Sequence, residues 1–547
     1  MQLRSLIVSW FCWVLLSCTF LALRPAETRQ ILGNDSFQYL SVAQNILAGQ
    51  GDSTSILFFD EQFYTGKLPA PQTVFPPAYP ILVSAIAYFG MPLEQAGVAI
   101  SLVSFWIILL LLLLGSRMLR LSPNVTRAVM FLCVANSGLW MFATAVVTES
   151  LFTAVALMAI IILAAAESPQ SKGWLRLGLL AGGSLLAAAS YWVRTAGLFV
   201  IAGIGVYFFI LWCKHRDRKS LLALVIYGSV ACASTLLGVM RNCAFSGTWK
   251  GGNSATSNNS FCSLAYDLCS TAVKLIVGYT WSHHMLKPLT AWTVLVFGIS
   301  ALVGFAAFVF AVVFFVRNRS AWLEWFKFPL TSLCVCCIAV YSAAMIYCGK
   351  YTVISFGDPR MFVPLIPMVA LLVGSLLSQA SWQQLSCRSL RYWKAAAVAF
   401  FVIYAASHLA TQAVFFRSNR YEDEAGRIRA LLQTPMQDGT STADWIAKNI
   451  PPDEPVFATV QGVGYVLQRK TICIGAWYNQ RVWDDKRVRD AMKTYGVRYM
   501  VFFPNAKEEN ESAEQSTFVT ALHHEKFPPW TSVAARSESC IIFKLAN

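Results

Sequence analysis

Asp35, Asp60, Glu61, Glu149, Arg194, Arg241, His283, His284, Asp358 and Arg360 all border apolar runs in this sequence. Ionisable groups beside lipid are costly and mark a cavity or a partner. Their types suit one kind of chemistry. A carboxylate takes the proton of an attacking hydroxyl as general base. Guanidiniums donate paired hydrogen bonds to phosphate oxygens and stabilise the charge that builds as a phosphate departs. A plainer reading stands beside each residue. Asn34 or Asp35 would cap the helix that opens there. Glu149, in Thr148-Glu149-Ser150, would be a solvated turn residue, and Arg194, after Tyr191-Trp192-Val193, would snorkel to the interface. Arg360 would pair with Asp358, and His283 and His284 would be loop residues.

The elements that must position these groups are membrane helices. Of 547 residues, 56% are hydrophobic and only 13% charged. That is too few charges to cover soluble domains of this total length. Apolar runs of about 18 residues or more recur, each long enough to cross a roughly 30 Å hydrocarbon core. The basic excess, 43 Lys+Arg against 28 Asp+Glu, sits in short clusters between these runs. Such clusters orient helices in a bilayer, which disfavours nucleic acid as a partner. The cysteines fall mostly inside apolar runs as small hydrophobes, and no paired CxxC spacing supports structural zinc.

Residues 5–23 read as an uncleaved first helix. Pro77 to Phe89 is too short to span and is expected to lie at the outer interface. Long runs follow near 95–116, 128–148, 150–166, 177–193, 196–213, 221–240, 288–316, 329–347, 361–380 and 395–414. Threaded with the N-terminus in the cytoplasm, every inside loop is basic, for example Arg117, Arg120 and Arg127, or Lys214, Arg216, Arg218 and Lys219. The expected architecture is a polytopic α-helical membrane domain over residues 1–414, with a first exterior loop at 24–94. About eleven spans and an exterior C-terminus follow from this threading. The tail, 415–547, reads as a soluble exoplasmic α/β domain. Ser441 and Asp444 signal a capped helix running to Ile450, and Val456–Val460, Thr471–Ile474 and Val497–Phe503 have strand composition around a helical stretch from Asp484 to Tyr495.

Asn34-Asp35 with Tyr39 and Ala43, then Gly49, Pro76-Pro77 with Tyr79, Thr148-Glu149-Ser150, Arg194, and Arg360 before Pro364 and Pro367 form an ordered set. In this the chain resembles the polyprenyl-phosphate-sugar-dependent glycosyltransferases of the GT-C fold, which include the protein O-mannosyltransferases and the lipid A aminoarabinose transferase. The resemblance implies Asp35 as first-loop catalytic acid, Glu149 as the second acidic residue, and Arg194 and Arg360 facing the donor phosphate. Glu61, Arg241 and His283 are expected in supporting places. Lys67 is the nearby substitute for a lysine that many relatives carry where this chain has Phe75. Some relatives use a divalent metal ion; here Asp35 and Glu149 would be its ligands, and the cofactor stays open. The implied activity moves a sugar, with inversion, from a polyprenyl-phosphate carrier to a hydroxyl of a lipid, glycan or protein at the outer face of a cell (inner) membrane. Asn34-Asp35-Ser36 fits a glycosylation acceptor pattern, and a glycan there would obstruct Asp35, which favours a bacterial inner membrane. A transporter or lipid flippase, and a non-catalytic cell-envelope assembly protein, are the alternatives.

Overall fold

The computed structural model describes residues 2–22, 32–249, 326–351, 359–379, 400–402, 404–409, 424–473, 483–504 and 517–546, with Ser260, Leu264, Thr271 and Leu275 as single positions. Helix α1 (Gln2–Ala22) precedes a first loop that holds α2 (Asn34–Leu47), β1 (Ser53–Thr54), β2 (Ile56–Leu57), a 3-10 helix (Asp60–Thr65), β3 (Ala70–Pro71) and α3 (Ala78–Tyr88). There follow α4 (Leu93–Met118), α5 (Pro123–Ala135), α6 (Ser137–Ala143), α7 (Glu149–Ala166), α8 (Gly173–Val193), α9 (Gly197–His215) and α10 (Arg218–Ser246). Two further helices, Pro329–Tyr351 and Ile366–Gln379, complete the described bundle. Among the described residues six helices are long and apolar enough to cross a membrane, or seven counting one bent pair. The expected runs 288–316 and most of 395–414 lie outside the described residues.

The bent pair corrects one expectation. The run 128–148 is not one straight span but α5 and α6, which meet at 58°. Asn136 causes the break: its side-chain oxygen accepts from the Leu139 N–H at 3.1 Å and its amide donates to the Tyr404 hydroxyl at 2.9 Å. His408 Nδ1 accepts from the Ser137 N–H at 3.0 Å. Freed backbone groups are tolerated inside an apolar layer only when side chains satisfy them in this way. The run 361–380 also differs, opening as two 3-10 turns, Pro359–Met361 and Val363–Leu365, before the helix starts.

The two ends of the bundle differ in character. At the Arg117 end of α4, Arg117 donates to Ser5 Oγ at 3.1 Å and nearby Arg176 pairs with Glu167 at 2.8 Å. At its other end, Glu94 pairs with Arg429 at 3.2 Å and accepts from the Tyr465 hydroxyl at 3.0 Å. The tail therefore docks at the end opposite the basic loops.

That tail is built on β4 (Val456–Ala458), β5 (Thr471–Cys473), β6 (Tyr499–Phe502), β7 (Thr531–Arg536) and β8 (Ile541–Leu545). The sheet order is β2-β5-β4-β6-β8-β7. Strand β2 runs parallel to β5, with Ile56 opposite Thr471, so the first loop supplies an edge of the tail's sheet. Three buried glutamines brace that loop. Gln62 and Gln72 both donate to Gln38 Oε1 at 3.1 Å, and Gln62 Oε1 accepts from the Phe58 N–H at 2.7 Å. Buried amides satisfied this fully fix one loop conformation. On the other side of α2, Phe37 packs on Tyr465 with ring centroids 5.6 Å apart. Gly462 permits this approach, because a Cβ there would overlap Ile428 and the Phe37 ring.

Candidate active site

Four charged side chains meet at the docked end of the bundle, each carried by the terminus of a different element. Asp35 lies in the first turn of α2, whose start is fixed by the Gly33 N–H donating to Ser36 Oγ at 3.0 Å. Glu149 is the first residue of α7, where the helix dipole favours an anion. The loop before it is held by Ser101 Oγ of α4, which donates to the Ala145 carbonyl at 2.8 Å. Arg194 closes α8, its N–H donating to the Ser190 carbonyl at 3.0 Å, and the following turn depends on Gly197, where a Cβ would overlap the α8 backbone at Ser190 and Tyr191. Arg360 sits in the 3-10 turn Pro359–Met361, which Tyr341 anchors by donating from its hydroxyl to the Met361 carbonyl at 2.8 Å.

The four form two ion pairs. Arg360 Nη1 meets Asp35 Oδ2 at 2.8 Å, and Arg194 Nη1 meets Glu149 Oε1. Arg194 Nη1 also donates to Thr148 Oγ1 at 3.1 Å, and its Nη2 contacts Met361 Sδ at 3.3 Å, one residue from Arg360. Arg360 and Tyr39 both act electrostatically on Arg194. The pairs differ in solvent access. The Glu149 side chain is 2% exposed, whereas Asp35 and Arg360 are 23% and 25% exposed. Removing one partner of a buried pair costs about 3–5 kcal/mol. An exposed pair is worth about 1 kcal/mol or less. Glu149 Oε2 is buried and lacks a hydrogen-bond partner among the described residues.

Tyr39 sits between the pairs. Asp35, Arg194 and Glu149 all act on it electrostatically. Burial first, then the Asp35 carboxylate, push its phenol well above the ordinary tyrosine range, so it stays protonated and able to donate. Its ring packs on Phe75 and Tyr79 at centroid distances of 5.0 and 5.2 Å. As site residues, Tyr39, Thr148, Tyr341 and Met361 are additions to the sequence reading. Only Tyr39 carried a signal, standing four residues after Asp35 on the same helix face.

Of the supporting residues expected from sequence, the two described ones, Arg241 and Lys67, stand apart from this group. Arg241 pairs instead with Asp52 and donates to the Gln72 carbonyl, tying α10 to the glutamine-braced loop. Lys67 is exposed in the turn after the 3-10 helix. The Glu61 side chain, His283 and Asp358 lie outside the described residues. As for a divalent metal, Asp35 and Glu149 are each neutralised by an arginine, and no group of three or more His, Cys, Asp or Glu gathers to hold one among the described residues.

No protein-family model and no curated protein matches the sequence. The fold does match solved structures. The chain is similar to the crystal structure of ArnT from Cupriavidus metallidurans in the apo state, with TM-score 0.58, 13% identity, and coverage of 99% of this chain and 98% of that one. The ArnT structure bound to undecaprenyl phosphate gives TM-score 0.55, 11% identity, and coverage of 99% and 97%. The Archaeoglobus fulgidus oligosaccharyltransferase complexed with Zn and sulfate gives TM-score 0.54, 14% identity, and coverage of 98% and 73%. The chain is a multi-pass membrane protein with the GT-C fold and a C-terminal α/β region.

Proposed function

We propose that the protein is an integral-membrane glycosyltransferase that moves a sugar from a polyprenyl-phosphate carrier to an acceptor hydroxyl at the outer face of the membrane, with inversion. The observation that carries this reading is the meeting of Asp35, Glu149, Arg194 and Arg360 around Tyr39 at the bundle end opposite the basic loops. In this reading that end is extracytoplasmic, with the N-terminus in the cytoplasm and the tail outside a cell inner membrane; the basic loops at the opposite end support the orientation through the positive-inside rule.

In the reaction we assign, the acceptor oxygen attacks the anomeric carbon from the face opposite the phosphate. The carbon–oxygen bond to the carrier breaks, its electron pair leaves on the phosphate, and the acceptor proton passes to Asp35. Arg360 and Arg194 stabilise the departing phosphate. Glu149 holds Arg194 in place and turns Oε2 toward a sugar hydroxyl. The acceptor is a lipid, glycan or protein hydroxyl.

Incubating the purified chain with a polyprenyl-phosphate sugar and an envelope extract, while following release of polyprenyl phosphate, tests the proposal. Release that disappears in Asp35→Asn supports it. Translocation of intact carrier with no cleavage would replace it by a flippase.

A further inference from the structure

We infer that Arg360 masks Asp35 until a donor phosphate arrives, so that the base is released only when there is a sugar to transfer. The inference rests on the glycosyltransferase reading above and deepens it. Before the donor binds, both carboxylates are already neutralised by guanidiniums, Asp35 by Arg360 at 2.8 Å and Glu149 by Arg194. A carboxylate held this way is a poor proton acceptor, because the guanidinium stabilises its charged form. A phosphate entering the site competes for those same guanidiniums, and the two pairs differ in how readily they yield, because one is far more open to solvent than the other.

Arg194 is committed three times over, to Glu149, Thr148 and Met361. Withdrawing it would strand a carboxylate that is 2% exposed. The Asp35–Arg360 pair is about a quarter exposed on both sides, and water or an acceptor hydroxyl can replace the arginine at Asp35. Arg360 is carried on a short 3-10 turn, not on a helix body, so its guanidinium can turn from carboxylate to phosphate with little backbone change. The phosphate therefore takes Arg360 while Arg194 stays as a fixed positive background beside it. Its displacement leaves Asp35 anionic and unmasked next to the newly seated donor. When the carrier phosphate departs, Arg360 returns to Asp35. Arg360 acts twice: as a ligand of the phosphate and as the positioning residue that times the base.

The test is a double-substitution cycle read by carrier binding. Full-length protein in lipid nanodiscs is titrated with undecaprenyl phosphate, which carries no sugar, and binding is followed by native mass spectrometry. Asp35→Asn, which no longer competes for Arg360, should bind the carrier about fivefold tighter than wild type while losing transfer. Arg360→Gln should bind more weakly, and adding Asp35→Asn to it should change nothing further. Asp35→Ser, as a second variant of the same carboxylate, should tighten binding as the asparagine does. If both Asp35 variants bind no tighter than wild type although Arg360→Gln binds more weakly, the masking is wrong and the glycosyltransferase reading stands. Equal tightening with and without Arg360 would overturn masking too, since the gain would then be a general loss of negative charge. If wild type and variants alike fail to bind the carrier, both readings fall.

Discussion

Arg194 at the close of α8 donates to the Thr148 hydroxyl at the mouth of α7 at 3.1 Å, and Tyr39 of the first loop is buried beside this pair. Tyr39 also shares a buried apolar cluster with Val146 and Leu151, which packs the loop carrying one carboxylate against the start of the helix carrying the other. Tyr39→Phe keeps the ring packing on Phe75 and Tyr79 but deletes the phenol hydroxyl that stands among the site charges. It should lower transfer about tenfold with a loss of about 1 kcal/mol in stability, read by product formation and thermal melting. Tyr39→Ala also removes a fully packed ring and should cost about 3–5 kcal/mol.

Arg194→Ala leaves Glu149 buried and without its cation. A large drop in melting temperature is expected, equivalent to about 3–5 kcal/mol. The double variant Arg194→Met with Glu149→Gln should recover most of that stability and no transfer. A melting temperature for Arg194→Ala close to wild type would show that water reaches Glu149 more freely than its burial implies.

Arg360→Gln removes a pair that is about a quarter exposed, so the fold should lose less than it does when the buried Arg194–Glu149 pair is broken. Transfer should fall far more steeply than stability, and the apparent affinity for the donor should fall with it. Equal losses in the two measurements would mark Arg360 as a structural residue only.

Chelation offers a separate check. Because both carboxylates are already balanced by arginines, transfer should survive dialysis against EDTA and gain nothing from added divalent ions. Strict dependence on an added cation would mean that the arginines leave their carboxylates when the ion binds.

Gly462→Val should force the tail off α2, since the added side chain has no room beside Ile428 and Phe37. Overpacking of this kind typically costs about 1–3 kcal/mol. The expected sign is faster proteolysis of the tail, measured against Gly439→Ala, a glycine outside that contact with positive φ of its own.

Much of this architecture was legible because its signals are local. The Ser441 cap appears as read, with Ser441 Oγ accepting from the Asp444 N–H at 3.0 Å, and helix Thr442–Asn449 ends before Pro451. Strand composition placed β4, β5 and β6 within a residue or two. The break at Asn136 was missed although Asn136-Ser137-Gly138 carries a helix-start signal; the apolar run on both sides concealed it. Strand β2 is two residues long, too short for any period, and exists only because β5 pairs with it. The four site charges were identified individually from their positions at span ends. Which guanidinium meets which carboxylate is set by tertiary packing between segments far apart in sequence, and local pattern says nothing about it. Arg360 illustrates the point: among the described residues it meets Asp35, 325 positions earlier in the chain, while its neighbour Asp358 lies outside them.

The parallel pairing of β2 with β5 also bears on biogenesis. A strand synthesised near the start of the chain has to wait, already committed to one side of the bilayer, until several hundred more residues have emerged before its neighbour exists. Contacts so distant form late and slowly. During that interval the edge of β5's future sheet is represented only by a short exposed segment braced by its glutamines. The final closure of the tail's sheet is then a quality check on insertion: a molecule with one helix threaded backwards would leave these two strands on opposite sides of the membrane and could never complete its sheet.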